Sequence, residues 1–197
     1  MALALPLAAV AEGAAPAAAP ASAPPTTSTP AAPLLLHVPA PDWRDQIIYF
    51  VVTDRFDDGD PANNDQGAHE YDPRDNGKYS GGDLAGLTRR LGYIQGLGAT
   101  AVWITPPVAN QWWDPLAQSS GYHGYWASDF SRVDAHLGTL ADYQRLSDAL
   151  HRRGMYLVQD IVVNHTGNFF TYTGPWSAQH PARHFALNAG SVPPAPT

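Results

Sequence analysis

An α/β fold built around a parallel sheet is what this sequence predicts, and three observations carry that expectation. Three apolar runs rich in β-branched and aromatic residues, QIIYFVV (46–52), TAVWIT (100–105) and MYLVQDIVV (155–163), have the make-up of strands buried on both faces. A helical pattern lies in each interval between them, so the order is strand, helix, strand, helix, strand. The loops after the first two strands are long, about 30 and about 34 residues, whereas the returns from helix to strand are minimal.

The first helix is expected over DLAGLTRRLGYIQGLG, where Leu84, Leu87, Leu91, Ile94 and Leu97 fall at helical spacing. Asp83 is placed to cap its start and Gly98 to end it. The second is expected over TLADYQRLSDALHRRG, with Thr139 and Asp142 in a capping-box pattern and Gly154 as the stop. Long loops after strands and short returns match a (β/α)₈ barrel, whose active-site face is built by the segments that follow each strand. A doubly wound open sheet is the alternative, but no Gly-x-Gly-x-x-Gly follows a strand here; GGDLAGL comes only after a long loop.

Residues 1–40 are a different material, with 15 Ala, 8 Pro and one charged side chain, Glu12. They read as a signal-like segment and linker that does not fold, which points to a secreted or periplasmic protein. MALALPLAAVA lacks a basic residue before its apolar run and is too short to span a bilayer, and no later stretch approaches a membrane span. Across all 197 residues, 11 basic side chains stand against 18 acidic ones, which is not the basic footprint of a nucleic-acid binder. The absence of Cys excludes thiol catalysis, thiolate metal sites and disulfides. Six Trp, nine Tyr and six Phe supply aromatic faces suited to a neutral, polar ligand.

The chemistry sits in the loops. DDGDPANN (57–64) and SGGD (80–83) gather Asp58, Asp60, Asn63, Asn64 and Asp83, with backbone carbonyls near Gly81. Hard cations such as Ca²⁺ take six to eight oxygen ligands from such groups, and a solvated turn cluster would use the same residue types. The pattern is not an EF-hand, because the sixth position counted from Asp58 is Asn63 and the twelfth is His69. The second loop carries SGYHGYWASDF (120–130), in which Tyr122, Tyr125 and Trp126 offer apolar faces beside His123 and Asp129. That mixture suits a sugar, and it also suits a satellite core. The third strand delivers Asp160, Asn164 and His165 in DIVVNHTG, where a carboxylate in a buried strand needs a partner.

Over about residues 43–177 these motifs resemble the N-terminal part of the α-amylase family of glycoside hydrolases (glycoside hydrolase family 13). The resemblance rests on IIYFVVTDRF with DGDPANN, on GGDLAGL, YHGYWASDF and LGTLADYQRLSDALHRRGM, and on DIVVNHTG as the family's first signature region. It implies hydrolysis of α-1,4-linked glucans such as starch and maltooligosaccharides, with cyclodextrin glucanotransferase-type transglycosylation or a non-catalytic binding relative as alternatives. It implies that Tyr125 is a stacking platform with His123 and Trp126 beside it, that His165 contacts the sugar, and that Asp160 supports the site. It assigns Ca²⁺ to Asp58, Asp60, Asn63, Asn64, Gly81 and Asp83, and a further structural calcium to Asn164.

The family's retaining chemistry uses a nucleophile and an acid/base on later strands, and this sequence holds no Asp or Glu after Asp160. The expectation is therefore the first three strands and two helices of a TIM barrel over 41–165, followed at 166–197 by the beginning of an inserted domain, with the catalytic pair beyond Thr197.

Overall fold

The computed structural model describes residues 41–181 and 183–191. The signal-like segment and linker expected over 1–40, and the last six residues of the expected inserted domain, lie outside the described residues. The described residues belong to one compact unit.

In chain order the strands are β1 (Ile48–Val51), β2 (Ala101–Ile104), β3 (Val108–Asn110), β4 (Trp113–Asp114), β5 (Ser119–Ser120), β6 (Ala127–Val133), β7 (Tyr156–Gln159), β8 (Phe170–Tyr172) and β9 (Phe185–Leu187). The helices are α1 (Leu84–Arg89), α2 (Leu91–Gly96) and α3 (Leu140–His151). The three expected strands form one parallel sheet in the order β1-β2-β7, with Ile48 opposite Ala101 and Ala101 opposite Tyr156. Consecutive parallel strands joined through helices form the βαβ unit that the alternation predicted.

One face of this sheet is covered. Val51, Val102 and Ile104 are buried against Leu84, Leu87, Leu91, Ile94, Leu146 and Leu150 of the helices, with Tyr49 and Leu157 packed on the same cluster. The other face departs from the expectation of burial on both sides: Ile48, Phe50 and Trp103 are 47, 46 and 38 % exposed. Side chains alternate across a strand, and among the described residues no second layer covers that face.

Two boundaries also differ from the sequence reading. The third strand ends at Gln159, not Val163, because its partner β2 ends at Ile104; the Asp160 N–H still donates to the Ile104 carbonyl at 3.3 Å, and that is the last rung. The helix expected over 83–98 is two short helices broken at Arg90 (φ −94°, ψ 5°), where Arg89 and Arg90 both turn onto Asp57. The expected signals at its ends hold: Asp83 accepts from the Gly86 N–H at 2.6 Å, and Gly98 has φ +86°. α3 begins with the full capping box of Thr139 and Asp142 and buries Leu146, Ala149 and Leu150.

The loop after β2 is more ordered than its composition suggested. It folds back as two small antiparallel ladders, β3 with β6 and β4 with β5, so ASDF, read as loop, begins a seven-residue strand. After β7 the chain forms the β8–β9 hairpin, whose Phe170 and Phe185 rings stack with centroids 4.8 Å apart. Among the described residues no helix is long and apolar enough to cross a membrane.

Candidate functional site

The first loop leaves β1 and returns at α1, and Asp83 ties its two ends together. The Asp83 carboxylate is fully buried and accepts from the backbone N–H groups of Gly59 (3.2 Å), Asp60 (2.8 Å) and Gly86 (2.6 Å) and from Asn63 Nδ2 (3.2 Å). Both of its oxygens are thus engaged by the protein. Asp60 is exposed and accepts from the Ala62 N–H at 3.1 Å, which caps a short 3₁₀ turn, Pro61–Asn63. These two expected metal ligands act on the backbone of the loop in this structure.

The other members behave differently. Asn64 Nδ2 donates to Asp58 Oδ2 at 2.7 Å, and Asn63 Nδ2 is spent on Asp83. Each amide thereby turns its nitrogen to a carboxylate and leaves its oxygen bare. Asp58 Oδ1, Asn63 Oδ1 and Asn64 Oδ1 are buried with no hydrogen-bond partner. An orphaned buried acceptor costs about 1–3 kcal/mol, and these three lie together in one loop. Gly81 (φ +97°) lies directly on this group: a Cβ there would sit 2.7 Å from Asn64 Nδ2. Among the described residues no group of three or more His, Cys, Asp or Glu is arranged to hold a metal. The donors here are one free carboxylate oxygen and two amide oxygens, a set that fits a hard, oxygen-seeking cation and not a zinc-type one.

The second loop and the end of β7 meet at Tyr125. Its hydroxyl donates to Asp160 Oδ2 at 2.7 Å, which supplies the partner that a carboxylate at that position requires. Burial, followed by the Asp160 hydrogen bond, pushes the Tyr125 phenol up to about 12, so it remains a donor at any physiological pH. His165 Nε2 lies 3.0 Å from the Tyr125 carbonyl, a contact that requires an N–H on Nε2. His123 Nδ1 accepts from the Tyr125 N–H at 3.0 Å, and the two rings lie 5.8 Å apart at 22°. Burial, with a contribution from the Arg55 charge, holds His123 below its ordinary value, which favours the neutral ring this bond needs. Trp126 meets His123 edge-on at 4.8 Å, and its backbone N–H donates to Asn110 Oδ1 at 2.7 Å. The structure therefore brings together His123, Tyr125, Trp126, Asp160 and His165. Asn164 stands apart: it is exposed and makes no side-chain hydrogen bond among the described residues.

Two groups escaped the sequence reading. Arg55, at the end of the 3₁₀ turn Thr53–Arg55 that follows β1, places its guanidinium carbon 3.8 Å from the centroid of the Tyr122 ring. Its neighbour Asp54 is 1 % exposed and accepts from the N–H groups of Ser80 (3.0 Å) and Gly81 (3.2 Å); burial pushes its carboxyl up to about 6. The second group is a brace between loops: His136 Nδ1 is 2.9 Å from Asp134 Oδ1, its Nε2 is 3.0 Å from Glu70 Oε1, and Tyr79 stacks on the ring at 3.7 Å. Burial pulls His136 down, but the two carboxylates outweigh it and leave the imidazole raised. A local signal existed for part of each, since TDR follows a predicted strand and Asp134 lies two residues before His136.

The family model for the α-amylase catalytic domain matches residues 50–192. A cyclomaltodextrin glucanotransferase of Klebsiella oxytoca is 45 % identical over 128 residues, covering 64 % of this chain and 20 % of that protein. The periplasmic α-amylase of Escherichia coli K12 is 41 % identical over 133 residues, covering 64 % of this chain and 20 % of that protein. Among solved structures, the α-amylase of Geobacillus thermoleovorans in complex with acarbose superposes with a TM-score of 0.51 at 41 % identity, covering 64 % of this chain and 24 % of that one. The chain thus spans about a fifth of the length of these two curated relatives. With a family match over most of its length, and with Tyr125, Asp160 and His165 joined at the strand ends, the chain belongs to the α-amylase catalytic-domain family.

Proposed function

We propose that the intact protein carrying this chain is a secreted or periplasmic α-amylase that hydrolyses α-1,4-glucosidic bonds of starch-type glucans. The three parallel strands belong to a (β/α)₈ barrel whose remaining strands supply the uncovered face, and residues 166–197 open an inserted domain. The single observation that carries this reading is the Tyr125–Asp160–His165 constellation at the carboxyl ends of the parallel strands, where barrel enzymes build their sites.

Tyr125 presents its ring to a glucose face while Asp160 fixes the phenol, so the platform meets the sugar pre-oriented. His165 offers Nδ1 to a sugar hydroxyl, and Trp126 closes the side of the cleft beyond His123. Retaining hydrolysis needs two carboxyl groups about 5–5.5 Å apart. Asp160 is the single described carboxylate bonded to the platform, and it is engaged as its anchor, so the nucleophile and the acid/base come from other segments of the intact protein. Asp58, Asn63 and Asn64 would hold Ca²⁺ through their bare oxygens, with the Gly81 region alongside and with Asp60 and Asp83 shaping the loop. The ion would supply the positive charge that those oxygens lack. Asn164 would serve a second, structural calcium together with groups outside the described residues.

The similarity to a cyclomaltodextrin glucanotransferase favours a second reading, in which the same machinery transfers the glucan to form cyclic products. The test is product analysis on starch and maltooligosaccharides, with wild-type protein and Tyr125→Ala. Linear products, lost by about 100-fold in kcat/KM in the variant, are expected. Cyclic products would favour the second reading, and wild-type turnover by Tyr125→Ala would sink the platform assignment.

A further inference from the structure

The Arg55 side chain is held on several sides. Its Nη2 donates to the Asn76 carbonyl at 2.9 Å, its Nη1 reaches Ser80 Oγ, and its Nε lies 3.3 Å from buried Asp54. The open face of the guanidinium lies on the Tyr122 ring, across 67 residues of sequence. From Tyr122 the contact runs on: its ring meets His123 at 5.2 Å, and His123 stacks on Tyr125 while accepting the Tyr125 N–H. Gly124 between them has φ +84° and packs so closely on Pro106 that a Cβ would lie 2.4 Å from its carbonyl oxygen, so the backbone at this turn has little room to adjust.

We propose that Arg55 is a positioning residue for the sugar platform, clamping Tyr122 to the first loop so that His123 and Tyr125 hold their register. The proposal rests on the platform reading given above. A cation over an aromatic face is attracted by the ring's negative π-face, and more strongly where water is excluded. An arginine can stack and fork at once, which a lysine cannot. Arg55 has a second effect on the same ring. The groups facing His123 are the Tyr122, Tyr125 and Trp126 rings of its own loop and the Arg55 cation from the β1 side, with Asp160 and His165 reaching it only through Tyr125. A protonated His123 would have no lone pair on Nδ1 to accept the Tyr125 N–H.

The experiment measures KM and kcat on a maltooligosaccharide as functions of pH in the intact protein. Arg55→Gln is expected to raise KM about fivefold with kcat little changed, because platform order is lost without a change in the chemical groups. Removal of the cation also moves the acid limb of kcat/KM to higher pH. Arg55→Lys restores the acid limb but not KM. Tyr122→Phe behaves as wild type, and Tyr122→Leu raises KM without moving the limb. Wild-type KM and an unmoved acid limb in Arg55→Gln would overturn the proposal; should that variant not fold, wild-type KM in Tyr122→Leu overturns it instead. Tyr125→Ala separates the two readings. If it is impaired while Arg55→Gln is not, the clamp alone is wrong, and if it is unimpaired the platform itself is wrong.

Discussion

The loop after β1 and the loop after β2 solve the same problem, a long excursion above a parallel sheet, by different physics. In the first, carboxylates gather N–H donors: Asp83 takes three backbone N–H groups and the Asn63 amide, Asp54 takes the N–H groups of Ser80 and Gly81, and Asp57 takes the guanidinium groups of Arg89 and Arg90. In the second, three aromatic rings pack around His123, Tyr125 stacked on it and Tyr122 and Trp126 edge-on, backed by antiparallel ladders. The first leaves Asp58 Oδ1, Asn63 Oδ1, Asn64 Oδ1 and the Tyr79 hydroxyl buried without a partner, whereas the second leaves Gln111 Oε1 and satisfies Asp160 through Tyr125. One loop gathers its bare acceptors around Asn64 and Gly81, and the other closes its hydrogen bonds on its own aromatic residues.

The largest effects should come from separating the two jobs that carboxylates do in the first loop. Asp83→Ala leaves four donors without an acceptor and is expected to cost about 3–5 kcal/mol, a fall in Tm of about 10 °C or more, with or without calcium. Asp58→Ala is expected to cost little in chelator but to abolish the rise in Tm that calcium gives wild type, about 2.7 kcal/mol at a hundredfold excess over Kd. Thermal melts of the intact protein in calcium and in chelator read both. A full calcium response in Asp58→Ala would move the ion elsewhere and dissolve the contrast between the loops.

A smaller effect is expected at Gly81, where a positive φ and the Asn64 amide at 2.7 Å both oppose a side chain. Gly81→Ala should destabilise by about 1–2 kcal/mol and weaken the calcium response, because the Asn64 oxygen shifts with its amide. Unchanged melts would show that the loop yields at this point.

The smallest effect is a pH dependence in the brace that joins the loops. His136 is raised by its two carboxylates, so its contribution is complete below 6.5 and is lost as pH climbs through the raised value. Burial pushes Glu70 up, but its hydrogen bonds win and leave it lowered, so its contribution is complete above 4.5 and is lost as pH falls. Asp54, raised to about 6, adds its own decline from 3.8 upward through about 6, which runs into the start of the His136 decline. Wild-type Tm should therefore fall from pH 6.5 upward, and His136→Gln should flatten that fall. An equal slope in the variant would remove His136 as its source.

What was legible in the sequence was local. Apolar β-branched runs placed β1, β2 and β7, because a strand inside a sheet needs such side chains whatever surrounds it. The Thr139 and Asp142 capping box and the positive-φ glycines Gly98 and Gly154 marked helix ends, because their partners lie within a few residues. The motif residues His123, Tyr125, Trp126, Asp160 and His165 are singled out by the resemblance to the family, and they do meet. Only the tertiary structure decided which oxygens of the first loop are spent and which are bare, that Asp83 anchors backbone, that Arg55 lies on Tyr122, and that Glu70 reaches His136 across 66 residues. Each of these depends on where a partner distant in sequence is delivered, and a chain shows a side chain's capacity to bond long before it shows which bond the packed fold leaves open.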